Sequence, residues 1–182
     1  MSALTFLNKT LYPAQFVVHK GQQVVARLPG VAPGAELQVP ADDAFQVSAS
    51  TILEGDTYTS APASVSGPMA FLAQVVENAQ QGTYDFEMKV ESSTAADQMV
   101  FLTTTINPVT FTISKSGVSL QSVVVQNSLE VETLTIGNDY TIFAVINGVT
   151  TGPVRTSDPN SVVTAVLNDF DLESGYFTLN VN

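Results

Sequence analysis

Phe6-Leu7-Asn8-Lys9-Thr10-Leu11-Tyr12-Pro13-Ala14-Gln15-Phe16-Val17-Val18-His19-Lys20 returns, 95 residues later, as Phe101-Leu102-Thr103-Thr104-Thr105-Ile106-Asn107-Pro108-Val109-Thr110-Phe111-Thr112-Ile113-Ser114-Lys115. Phe6, Leu7, Thr10, Pro13, Phe16 and Lys20 recur unchanged as Phe101, Leu102, Thr105, Pro108, Phe111 and Lys115. That is 6 identities in 15 positions, where the usual residue frequencies give about one by chance. Leu11 with Ile106, Ala14 with Val109 and Val18 with Ile113 keep the same apolar phase. A pattern of side-chain sizes repeated in phase marks a repeated fold, so the chain reads as two copies of one unit.

The copies can be followed outward from this passage. Phe45, Val47 and Ala49 match Tyr140, Ile142 and Ala144 at the same offset. Gly55 then matches Gly148, and Gly82 matches Gly175, at an offset of 93. After that glycine, Tyr84, Phe86 and Met88 fall on Phe177, Leu179 and Val181. A repeat of this length that reaches both ends of a 182-residue chain predicts two small domains, 1–92 and 93–182. The polar stretch from Glu91 to Gln98 is the expected linker.

Both copies read as strand. Val109-Thr110-Phe111-Thr112-Ile113 and Tyr84-Asp85-Phe86-Glu87-Met88-Lys89-Val90 alternate apolar with polar residues, which puts one set on a core and the other in water. Breakers such as Pro29-Gly30, Gly67-Pro68, Gly117 and Gly152-Pro153 arrive at turn spacing. Asn147-Gly148, between Ile142–Ile146 and Val149–Thr151, predicts a two-residue hairpin. Phe71 to Gln81 is rich in Ala and Gln, but its counterpart Val162 to Val166 is β-branched, so it reads as a strand running into a loop.

The expected class is therefore all-β, with seven or eight strands in each of two tandem antiparallel β-sandwich units. The passage Asp139-Tyr140-Thr141-Ile142-Phe143-Ala144-Val145-Ile146-Asn147-Gly148 resembles the tyrosine-bearing hairpin of fibronectin type III and immunoglobulin-like domains. It implies an immunoglobulin/fibronectin-III-like sandwich, with a jelly-roll-like arrangement as the alternative. The resemblance covers one hairpin per unit, and the chain has neither the Trp nor the Cys pair of immunoglobulin cores.

Charge narrows the function. Six Lys and Arg face 17 Asp and Glu, for a net charge of −11. With no basic patch to neutralise phosphates, nucleic acid and an anionic membrane surface are not expected partners. The N-terminus lacks a signal-peptide pattern, and no stretch approaches the roughly 18 apolar residues of a membrane helix, so the expected location is cytoplasmic. The chain contains no Cys, which removes disulfides, thiolate metal sites and cysteine nucleophiles together.

Few residues carry chemistry. His19 is the only imidazole, so any Ser-His-Asp or histidine-metal mechanism runs through it. It stands where the other copy has Ser114, and it reads as a histidine on the outer face of a strand. Asp42-Asp43 before Phe45 and Asn138-Asp139 before Tyr140 read as a recurring turn, since Asp and Asn bond nearby backbone amides. Asp169, Asp171 and Glu173 alternate within Asn168–Gly175, and oxygen ligands converging from one face would suit Ca²⁺. The stretch departs from the EF-hand pattern and its counterpart, Glu77–Gly82, lacks the alternating acids, so it reads first as a solvated hairpin loop. No catalytic residue and no cofactor are expected. The remaining reading is a non-catalytic structural or interaction protein that self-associates into a homo-oligomer or larger array. The alternative is a carbohydrate-binding, lectin-like protein, with calcium assistance at the acidic trio.

Overall fold

The computed structural model describes residues 1–168 and 176–182. The first copy supplies β1 (Ala3–Asn8), β2 (Ala14–Lys20), β3 (Gln23–Arg27), β4 (Glu36–Pro40), β5 (Phe45–Leu53), β6 (Asp56–Thr59), β7 (Ala63–Val65), β8 (Met69–Asn78) and β9 (Thr83–Ser92). The second supplies β10 (Gln98–Thr103), β11 (Val109–Lys115), β12 (Val118–Val125), β13 (Glu132–Thr135), β14 (Tyr140–Ile146), β15 (Val149–Thr150), β16 (Val154–Thr156), β17 (Val162–Leu167) and β18 (Phe177–Val181). The described residues contain no helix. The architecture is all-β with several sheets and fits the sandwich class. Alternation in the sequence becomes alternation in burial: Tyr140, Ile142, Ala144 and Ile146 of β14 face inward, and Thr141, Phe143 and Val145 face outward.

The compact units are drawn differently from the copies. One unit joins 1–42 to 137–182, and the other is the continuous segment 43–136. In the first unit the sheets run β18-β17-β1-β4 and β15-β14-β2-β3, with β16 beside β14. The second repeats that order as β9-β8-β10-β13 and β6-β5-β11-β12, with β7 beside β5. Pairing is antiparallel except for β1 with β17 and β8 with β10, which are parallel. Each unit thus takes four strands from one copy and five from the other. The boundary expected at 92/93 falls inside the second unit, between β9 and β10. The physical reason is that a repeat specifies which strands are alike, and like strands offer the same partner to either copy.

Matching hydrogen bonds hold the two units. Ala49 N–H donates to Ser60 Oγ at 2.9 Å and its carbonyl accepts from Ser60 N–H at 2.8 Å. Ala144 does the same with Thr151, at 3.0 and 2.8 Å. Before β2, Thr10 N–H and Oγ1–H donate to buried Asn8 Oδ1 at 2.9 and 2.7 Å. Before β11, Thr105 N–H donates to Thr103 Oγ1 at 3.1 Å, and Thr105 Oγ1 donates to Asn107 O at 2.8 Å. The Asn147-Gly148 hairpin forms as expected, with φ of 49° and 76°.

The ladders revise one part of the alignment. Val75 pairs with Phe86, and Leu167 pairs with Phe177, while Phe71 and Val163 occupy matching places beside Phe101 and Phe6. Phe86, Met88 and Val90 therefore correspond to Phe177, Leu179 and Val181. The sequence match was slipped by two residues, a shift that leaves the period-2 phase unchanged and is invisible to it.

Each unit has its own aromatic core. In the second, Phe71 stacks on Phe101 at 5.2 Å and Phe101 meets Phe111 at 5.1 Å. In the first, Phe6 meets Phe16 at 5.0 Å, and Val163 stands where the second unit has Phe71. All six side chains are fully buried.

Candidate functional site

The chain crosses between units at 42/43 and at 136/137. Asp42-Asp43 and Asn138-Asp139, read from the sequence as turns, lie at those crossings. Gly137 is required there by close approach: a Cβ would come 2.7 Å from the Gly21 nitrogen.

His19 lies half-buried on the outer face of β2, across from Thr141, with its ring stacked on Phe143 at 5.9 Å. Burial, and then the Arg27 guanidinium, hold its pKa below the ordinary histidine value. Asp169, Asp171 and Glu173 lie outside the described residues. Among the described residues no group of three or more His, Cys, Asp or Glu is placed to hold a metal ion.

Lys20 Nζ sits 5.1 Å from the centre of the Tyr140 ring, and Lys115 Nζ sits 5.2 Å from that of Phe45. In each pair the lysine comes from one copy and the ring from the other. Both rings are buried, so each lysine lays its stem over the end of a core and keeps its ammonium within cation–π range. A concavity of about 500 Å³ adjoins Lys115, and one of about 260 Å³ lies beside Thr141 and Arg155. Ser64 of the first place is replaced by Arg155 in the second, as their pairing with Gln46 and Thr141 shows.

A further groove of about 420 Å³ opens on the second unit. The β5–β6 turn brings Glu54, which adopts φ 52°. β6 brings Tyr58, β9 brings Tyr84, and the β10–β11 loop brings Thr104, Ile106 and Asn107. Tyr84 is 51% exposed and Ile106 84%. Asn107 Nδ2 donates to Ile52 O at 3.1 Å, which turns its amide into a fixed wall group. Two phenol rings with one carboxylate and one amide can bind a flat, hydroxyl-bearing molecule, and they supply no nucleophile and base in contact. The corresponding place in the first unit differs. Val149 stands for Tyr58 by ladder position, and Tyr12 stands for Asn107 and meets Phe177 edge-on at 6.1 Å. Nothing in the alternation announced this groove, because Tyr58 and Tyr84 looked like ordinary strand residues; the exposure of Tyr84 is the signal.

The edges of the second unit are unlike one another. β9 carries Asp85, Glu87, Lys89 and Glu91 at exposed positions, the charges with which edge strands resist pairing. β12, at the end of the other sheet, contains no charged residue. Val118 and Val124 on β12, and Leu129 and Val131 just beyond it, are exposed, Leu129 to 93%. The loop that presents Leu129 is fixed by its N–H donating to Asn127 Oδ1 at 2.9 Å.

No family model, curated protein or solved structure matches the chain. No helix among the described residues is long and apolar enough to cross a membrane.

Proposed function

We propose that the protein is a non-catalytic structural or interaction protein that self-associates, and that the β12 edge is a contact surface. The observation that carries this is the uncharged eight-residue edge strand with four exposed apolar side chains at and beyond it. Covering such side chains is favourable by about 25 cal/mol per Å², and a strand without charges presents little to desolvate. The net charge of −11 opposes association until salt screens it. Light scattering should therefore give a mass that rises with both concentration and salt. Val124→Lys with Leu129→Lys should weaken association by at least about tenfold, roughly 1.4 kcal/mol, although the added charges reduce the overall repulsion. A mass of 19.3 kDa under all conditions would refute the reading.

A second reading, carbohydrate binding of a lectin-like kind, is favoured by the Tyr58–Tyr84 groove. Sugar rings pack their C–H faces on aromatic side chains, while Glu54 and Asn107 supply polar partners for hydroxyls. Titration against a panel of neutral oligosaccharides, with and without a chelator for the calcium-assisted form, tests it. Tyr84→Ala should lower the affinity of any bound sugar at least about tenfold, on the scale of one lost aromatic contact. Equal binding by that variant would place the site elsewhere.

A further inference from the structure

The first unit is closed by the two ends of the chain, with the whole second unit lying between them in sequence. Each of its sheets has two strands from the N-terminal segment and two from the C-terminal segment on its main path. The seam is a single strand pair in each sheet: β2 with β14 over seven positions, from Lys20↔Tyr140 to Ala14↔Ile146, and β1 with β17 over four. Across that seam Phe6, Phe16 and Val18 from one segment are buried with Ile142, Ile146 and Val163 from the other. Neither segment can bury its apolar faces alone, and nothing covalent within the unit joins them.

We propose that residues 1–42 are an exchangeable segment: the β14–β18 half of one chain can be completed by β1–β4 of a second copy. The contacts made are the same in both cases, so the choice depends on connection and concentration. The intramolecular route has the advantage of the effective concentration set by its tether, and the intermolecular route gains as protein concentration rises. A reciprocal exchange closes a dimer. A one-way exchange leaves one free segment at each end and continues head to tail. This goes beyond the edge contact at β12, because the joining surface is the interior of the unit.

The chain contains no Cys, so an introduced pair reports its own partner. Gln15 and Val145 face each other across the seam, as neighbouring antiparallel positions that a disulfide can span. The full-length Gln15→Cys/Val145→Cys protein is refolded from urea at low and high concentration, oxidised, and run denatured without reductant. Exchange predicts covalent species at two and more times 19.3 kDa, whose share rises with refolding concentration and which collapse to monomer on reduction. His19→Cys/Thr141→Cys, on the same ladder, serves if the first pair disturbs folding. Gln46→Cys/Ser114→Cys, paired within the continuous second unit, should give internal links only. Internally linked monomer alone from the seam pairs would overturn the proposal, and native light scattering of the unmodified protein would still decide β12 association separately. Equal ladders from seam and control pairs would overturn it too, by showing unspecific misassembly.

Discussion

Residues 43–136, expressed without the rest of the chain, are expected to fold cooperatively, whereas 1–92 and 93–182 are each expected to lack a cooperative transition alone and to recover one on mixing. The continuous segment contains β5 to β13, both complete sheets of the second unit and its three-ring core. A cut after Ser92 instead separates β8 from β10, β5 from β11, β2 from β14 and β1 from β17. Each half could try to close on itself, but the cores do not match. Such a closure would bring Phe71 against the Phe6–Phe16 pair, where the native partner is the smaller Val163. In the other half it would leave Val163 against Phe101 and Phe111, where the native partner is Phe71. Overpacking costs typically 1–3 kcal/mol, and a lost ring about 3–5 kcal/mol, comparable with the whole stability of a small domain. Circular dichroism with urea titration on the three fragments and on the equimolar mixture provides the check. A folded, monomeric 1–92 would show that the interleaved pairing is dispensable.

Phe101→Ala is expected to cost about 3–5 kcal/mol, the largest effect of any single truncation in the second unit. Phe101 lies between Phe71 and Phe111 and touches both rings at close to 5 Å, so its removal strips two aromatic contacts and leaves a cavity bounded by Phe71 on β8 and Phe111 on β11. The variant of 43–136 should show a urea midpoint lowered by that free energy divided by the m-value, with the m-value unchanged, or no folded baseline at all. A loss below about 1 kcal/mol would mean that the neighbouring strands collapse into the space.

Much of this was legible because period-2 patterning is read locally. Val109, Phe111 and Ile113 are buried as their alternation implied, and the turn at Asn147-Gly148 follows from side chains that tolerate positive φ. The strand count fell short, at seven or eight against nine per copy among the described residues, because β7 and β16 are only three residues long and carry no periodicity of their own. The interleaving was not legible at all. Phe45-Gln46-Val47-Ser48-Ala49 states that it needs an apolar-faced antiparallel neighbour, and both Phe16–Lys20 and Phe111–Lys115 satisfy that description. For the groove, the same alternation that locates a strand cannot say that Tyr58 and Tyr84 meet beside one loop.

The separation of 1–42 from 137–182 also matters during synthesis. A ribosome adds about 5 to 20 residues per second, so on the order of ten seconds pass between the emergence of Pro40 and that of Tyr140. Throughout that interval the nascent chain carries Leu4, Phe6, Phe16 and Val18 with no sheet to receive them, while the second unit already has all its strands before its neighbour has half of its own. Translation speed and chaperone occupancy near the N-terminus are therefore expected to bear on the yield of this protein.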